Sequence, residues 1–378
     1  MSVMSWRRSP LAARHRALGS SLEDWNGMET AWTYSKSNLP DEHEAIRTKA
    51  ALMDVSGLRK AHIVGPHSHQ VLQRMTTRDV RKVYPGKSVY ASILTAGGKF
   101  ADDCILFRTG PNAWMAVFGS GSGYEDVAAE TVGKNVSILF DDDLQDLSLQ
   151  GPLAVKYLAK HVPGIKDLKY FHHMQTTLLG KPVMISRTGY TGERGYEIFC
   201  RAEDAVEIWD TILKEGKRMG IVPASFTALD WLRVESYLIF YPYDNSQMYP
   251  FADEAPGDTL WELGLDFTVS PGKTGFRGAE EHARLKGKER FKIYGLIADT
   301  DQVLDAGDEL WAGGKKAGVV TCAMHSRATN RSLAIGRFDV GAAKEGTKLE
   351  VRGQKVKCAA VASPINFDDP QKKKRTAM

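Results

Sequence analysis

The sequence predicts an α+β protein of two or three domains whose last domain is a small all-β barrel or sandwich. Three observations carry that expectation. The chain has 378 residues, enough for two or three separate cores. Up to about residue 286, stretches of helical and of strand periodicity are interspersed. From Phe291 onward only the two-residue period persists, in short runs over 291–297, 309–311, 318–321, 332–336, 348–351 and 356–360 at hairpin spacing.

Taken in order, residues 1–20 are rich in arginine but lack the apolar core of a secretory signal, and read as a disordered basic lead. Residues 41–53 read as a helix entered through an acidic first turn. A strand is expected at 61–65, a helix at 66–75, and a hairpin over 88–107 whose Gly97-Gly98 turn is followed by the acid pair Asp102-Asp103. Neighbours on a strand face opposite ways, so at most one of these aspartates should face a pocket; a solvated turn pair is the plainer reading.

A strand at 114–118 runs into Gly119-Ser-Gly-Ser-Gly123 and a helix over 125–132. The glycines lack the third spacing of a dinucleotide fingerprint and there is no βαβ frame, so nucleotide binding is not expected. Strands follow at 136–140 and 147–152, then a helix through Lys160. His172-His173 reads as loop. Amphipathic helices are expected over 202–219 and 228–239, then a Pro/Gly-rich linker at 250–258 and helical segments at 260–267 and 278–286.

Composition narrows the function classes. With 43% apolar and 25% charged residues the chain is ordinary for a soluble globular protein, and no apolar run approaches the roughly 20 residues that span a bilayer. The net charge of +4 is mild and partly due to Lys372-Lys-Lys-Arg375, which reads as a solvated tail, so neither nucleic acid nor membrane is an expected partner. Four scattered cysteines without C-x-x-C pairs suit a reducing cytoplasm without disulfides or structural zinc, and no metal site is expected.

The stretch with most chemical content is Arg187-Thr-Gly-Tyr-Thr-Gly-Glu-Arg-Gly-Tyr-Glu197, read as strand, glycine turn, strand. Glu197 opens the returning strand. A carboxylate accepts two parallel hydrogen bonds, which suits a ligand edge with two adjacent N–H donors, such as the aminopyrimidine edge of a pterin. From spacing alone the same stretch is also a β-hairpin with a surface salt bridge.

In order and spacing, Glu42-His43 to Asp54-Val55-Ser56, Gly97-Gly98 to Asp102-Asp103, Leu149-Gln-Gly-Pro152, Gly189 to Glu197, Arg233-Val-Glu235 and the C-terminal strands resemble the folate-dependent aminomethyltransferase family. That family includes the T-protein of glycine cleavage and tetrahydrofolate-dependent demethylases such as dimethylsulfoniopropionate demethylase. The resemblance runs from about residue 40 to 362. It implies three domains around a central folate channel: 1–50 with 140–250, then 51–139, and a barrel at 291–378 after a helical linker at 251–290. It also implies a folate-binding set of Glu197, Tyr90, Tyr190, Glu193 and Arg233, with Asp102 or Asp103 beside the reacting nitrogens.

The implied activity is one-carbon transfer with tetrahydrofolate as cofactor. The favoured form is a demethylase that moves a methyl group from a small S-, N- or O-methylated substrate to N5. Trp32, Tyr34, Tyr241 and Tyr243 are the candidate walls for a cationic donor. Two alternatives stand beside it: aminomethyl transfer from a lipoyl carrier protein, and folate binding without turnover in an assembly or regulatory protein. One departure is plain: Leu229 stands where the T-protein pattern has an arginine for the folate glutamate tail, so either another Lys or Arg serves or the tail is left in solvent.

Overall fold

The computed structural model describes residues 7–246, 249, 257–327, 329–363, 369 and 371–376. Most of the linker expected at 250–258 lies outside them. Three β-sheets dominate. A six-stranded sheet runs, in spatial order, His173–Leu178, Lys181–Ser186, Gly195–Arg201, Leu144–Gln150, Ala50–Asp54 and Ile221–Pro223, with only the last pair parallel. A five-stranded antiparallel sheet is ordered Ser88–Leu94, Phe100–Gly110, Ala113–Phe118, Arg59–Val64 and Ser137–Phe140. Six strands from Phe291–Ala298 to Lys357–Ser363 close into a barrel, in the region where the two-residue period predicts one.

The helix Ala202–Gly216 buries Ala205, Ile208, Trp209 and Ile212, the i, i+3, i+4, i+7 stripe of an amphipathic helix, against Leu147, Leu149 and Ile198 of the first sheet. Trp209 is almost wholly enclosed. Truncating it to alanine costs about 3–5 kcal/mol on the usual scale for large core residues. The barrel buttresses the rest from behind: Phe291, Met324 and Ile335 share a core with Leu94, Phe100, Val234 and Leu260.

Several expectations change. The helix expected over 41–53 is a helix Leu39–Thr48 followed by the strand Ala50–Asp54. Ala50, Ala51, Leu52 and Met53 are all enclosed, and a short, fully buried apolar run shows no period that separates strand from helix. That strand joins the first sheet, so the chain crosses to the second between Asp54 and Arg59, not at 50/51. His173 opens a strand instead of lying in a loop.

Both ends of the described chain make contacts with its body, and the N-terminal end is packed. Arg7 is buried and donates to Ser56 O at 3.1 Å and Gly57 O at 3.2 Å. His15, in the helix Ala12–Ala17, sits between Tyr34 and Asp54 at 2.9 and 3.0 Å. At the other end Arg187 donates to Arg375 O at 3.2 Å and Lys374 Nζ lies 3.1 Å from Glu193 Oε1. The disordered lead does not describe residues 7–20, whereas Lys372, Lys373 and Lys374 of the tail are exposed, as a solvated tail is, although Lys374 meets Glu193. In both places basic residues meet carboxylates and carbonyls far away in sequence, which composition does not reveal.

Candidate functional site

The two open sheets and the segments that follow them enclose a cavity of about 1480 Å³. Its floor is the polar face of the first sheet. The register pairs Glu197 with Ser148 and Gly195 with Gln150, and these side chains share one face while Leu147, Leu149 and Ile198 fill the core on the other. Glu197 and Ser148 line the cavity.

The 187–197 stretch is wound around one side chain. Gln150 donates to Ser148 Oγ at 3.0 Å and to Thr188 O at 3.1 Å, and accepts from Thr191 Oγ1 at 3.0 Å. A Cβ at Gly189 or Gly195 would stand 2.2 or 2.0 Å from Gln150 Oε1, so these glycines are required by the close approach. Arg47, a residue that sequence reasoning passed over, pins the turn from outside, with Nη1 2.8 Å from Thr191 O and 3.2 Å from Glu193 Oε1. Thr188 Oγ1 donates to Glu197 at the strand mouth. Burial pushes the Glu197 carboxyl up from its ordinary range, while Thr188 and the buried Lys60 ammonium pull it back.

The opposite wall carries the aspartate pair. Both lie inside the strand Phe100–Gly110, beside an irregularity where Ile93 pairs with Asp102 but Leu94 with Phe100. They are not a solvated turn pair. Asp102 Oδ1 accepts from the backbone of Asp103 at 2.9 Å and Gly121 at 3.1 Å, and Oδ2 from Gly123 at 3.0 Å. The G-x-G-x-G run is thus a cradle for a carboxylate of its own chain: a Cβ at Gly123 would meet Asp102 Oδ2 at 2.6 Å, and one at Gly119 Asp103 Oδ1 at 2.4 Å.

Asp103 points the other way and accepts from Tyr90 Oη at 2.7 Å. Burial and the neighbouring charge of Asp103 push Asp102 up to about 7, and burial raises Asp103 too, opposed by the Tyr90 hydroxyl. Two adjacent enclosed carboxyls hold on to a proton well above the usual range.

Of the sequence candidates, Asp102, Asp103, Glu197, Tyr90, Tyr190 and Tyr241 line the cavity. The others do not. Arg233 is fully enclosed, with Nε 2.7 Å from Asp230 Oδ1 and its other end on Asp244, so it locks the helix Phe226–Glu235 to the segment beyond it. Glu193 is tied to Arg47 and Lys374. Trp32 packs on Phe226 at 4.5 Å between ring centres, Tyr34 on His15, and Tyr243 on Phe240 at 4.9 Å. Aromatic residues in an aromatic-rich segment served the core there, as aromatic residues more often do.

Leu229 itself faces the cavity, and Arg78, Lys87, Lys99, Lys372 and Arg375 also reach the lining. Arg375 also bonds Tyr170 near Glu197. Only the charge of the tail signalled any of these.

Residues 11–273 match the family described as the GCVT N-terminal domain, and residues 292–368 match the glycine cleavage T-protein C-terminal barrel domain. The chain is 65% identical over 373 residues to the heme-dependent oxidative N-demethylase gamma subunit of Ectopseudomonas mendocina (strain ymp), covering 99% of each chain. It is 30% identical to an aminomethyltransferase of Bacillus mycoides (strain KBAB4), covering 96% of this chain and 99% of that one. It is also 33% identical to the trimethylamine-oxide aldolase of Ruegeria pomeroyi, of which it spans 45%. Among solved structures, the glycine cleavage system aminomethyltransferase T of Bartonella henselae superposes with a TM-score of 0.85 at 25% identity, covering 97% of this chain and 99% of that one. The chain belongs to the glycine cleavage T-protein family, with the aminomethyltransferase fold and its C-terminal barrel.

Proposed function

We propose that this chain is the tetrahydrofolate-binding, one-carbon-accepting subunit of an oxidative N-demethylase. The observation that carries the folate reading is Glu197, an enclosed carboxylate at the floor of a large cavity, which fits the two adjacent N–H donors of a pterin edge. The N-demethylase reading is supported by the 65% identity, across nearly the whole of both chains, to a protein named as the gamma subunit of such an enzyme.

The two readings join chemically. Oxidation of an N-methyl group by two electrons, followed by cleavage of the C–N bond by water, releases the carbon as formaldehyde. Bound tetrahydrofolate supplies two nucleophilic nitrogens that take up formaldehyde with loss of one water, so the expected product is methylenetetrahydrofolate. Glu197 anchors the pterin. Asp103, held by Tyr90, offers negative charge and a proton-transfer group on the opposite wall. Tyr190 and Tyr241 also line the cavity.

A haem fits this cavity poorly. Among the described lining residues there is no histidine or methionine, the Cys104 thiol is enclosed and pushed well up by burial, and the hydroxyls of Tyr90 and Tyr190 are given to Asp103 and Ile239 O.

The test is mass spectrometry of the folate after incubation with tetrahydrofolate and one donor at a time: formaldehyde, an N-methylated amine with its oxidising partner subunits, or an aminomethyl-lipoyl carrier. Methylenetetrahydrofolate formed faster than the uncatalysed rate from either of the first two supports the proposal. Methyltetrahydrofolate indicates direct transfer of a methyl group to N5. Product from the carrier alone assigns glycine cleavage, and unchanged folate assigns a binding role.

A further inference from the structure

Beside the cavity floor, on the same face of the sheet, lies a buried ionic cluster that the one-carbon chemistry does not use. Asp146 sits next along the strand from Ser148, on the same face, and the register sets it opposite Phe199 and diagonal to Glu197. It is fully enclosed, and neither carboxyl oxygen has a hydrogen-bond partner among the described residues. A buried carboxyl without partners is costly as an anion.

Lys60, from the second sheet, is equally enclosed and donates to Ser56 O at 2.8 Å. Ser56 in turn accepts the Asp146 backbone N–H on its hydroxyl at 3.0 Å, so lysine and aspartate are hung from one residue. The other charges around the cluster have partners of their own. Asp54 is matched by His15 at 3.0 Å, and Arg7 by Asp142. Tyr170, which feels the charge of Glu197, is hydrogen-bonded to Arg375, and Cys200 lies in the core. That leaves one ammonium for two carboxyls.

We propose that Lys60 and Asp146 are positioning residues that fix the charge of Glu197: Lys60 supplies the one positive charge, Asp146 keeps the proton, and Glu197 stays anionic for a ligand with two N–H donors. The inference rests on the folate reading for the identity of that ligand. Electrostatics agree. Burial and the charge of Glu197 push Asp146 well above the carboxylate range. Burial lowers Lys60 to about 8, and the charges of nearby carboxylates oppose that fall. Paired with one ammonium, the two carboxyls retain a single proton, and the one with no hydrogen-bond donor keeps it.

The test is the pH dependence of binding of 5-formyltetrahydrofolate, by calorimetry, in the full chain and in Lys60→Gln and Asp146→Asn. Gln keeps a donor for Ser56 O and removes the charge. Expected for Lys60→Gln is an acid limb moved up by a unit or more, with affinity at least ten-fold weaker at pH 6.5 and convergence with the parent near pH 9. Expected for Asp146→Asn is an unmoved acid limb together with loss of one protonated-carboxyl infrared band at neutral pH. An unmoved limb in Lys60→Gln, or a full set of infrared bands in Asp146→Asn, overturns the proposal.

The infrared measurement needs no folate. A chain that loses the band in Asp146→Asn but binds no folate disproves the folate reading and leaves the buried charge arrangement standing.

Discussion

Tyr90 donates its hydroxyl to Asp103 Oδ2 at 2.7 Å across the hairpin that forms one cavity wall, while the adjacent Asp102 is turned away into a cradle of backbone N–H groups. The two aspartates therefore divide their work. Asp102 holds the glycine loop and Asp103 is oriented by Tyr90, and both side chains reach the cavity lining.

Tyr90→Phe removes one bond to Asp103 without emptying space. Burial already raises Asp103, and the Tyr90 hydroxyl is what opposes that rise, so the variant's Asp103 protonates at still higher pH. Turnover should fall by about ten-fold, the worth of a hydrogen bond to a charged group. The acid limb of the pH–rate profile should move upward. A profile that drops uniformly, with an unmoved limb, removes Asp103 from the chemistry.

Glu197→Gln replaces one acceptor of a paired edge with a donor. Affinity for tetrahydrofolate should drop by roughly 100-fold or more, since one charge-assisted bond is lost and one N–H faces another. Stability should not drop with it. The folded-state Glu197 carboxyl is raised, so its contribution is full below the unfolded value and is lost as pH rises through the folded one. The glutamine lacks that decline and should melt no lower than the parent at pH 8. Near-parental folate affinity in calorimetry contradicts the pterin assignment.

How much of this was legible beforehand depends on whether a residue's partner was near it in sequence. The barrel was readable because each strand carries its own two-residue period and turns, and the helix Ala202–Gly216 because its stripe is local. Glu197, Tyr90 and the aspartate pair came from a resemblance of motifs. Arg233 and Glu193 belonged to those motifs but are consumed by Asp244 and Arg47, which no local pattern announces. Lys60, Asp146 and the basic ends are invisible for the same reason: their meaning is a charge balance among residues drawn from three or four separate segments.

Gly121→Ala tests the cradle. A Cβ there would sit 2.1 Å from Ala101 O and 2.9 Å from Asp102 Cβ, backbone and strand atoms that cannot rotate away. The loop must lift and release Asp102, at a cost of about 1–3 kcal/mol for overpacking. Gly133→Ala is the control. It has φ of +74° but nothing within 4 Å, so it carries only backbone strain of about 1 kcal/mol and should leave catalysis intact. Equal loss of turnover in both variants would show that the cradle does not matter to the site.

Glu235 tests the frame that holds the folate turn from outside. It accepts from His43 Nε2 and from Arg47 Nε, both at 2.8 Å, and Arg47 continues to Thr191 O and Glu193. Burial alone would raise its carboxyl, but the His43 bond and the Arg47 charge hold it down to about 2, against an ordinary 4.5. A lowered carboxyl stabilises the fold at every pH above its unfolded value and loses that contribution as pH falls through the folded one. At about 1.4 kcal/mol per unit, Glu235→Gln should cost roughly 3 kcal/mol at pH 7. The difference from the parent should shrink below pH 4.5 and vanish near pH 2. Urea unfolding across that range reads it directly. Folate affinity should weaken as well, because Arg47 freed from Glu235 no longer fixes the turn that carries Thr191. A constant stability gap from pH 7 to pH 2 would mean that packing around Glu235, not its charge, holds the two helices together.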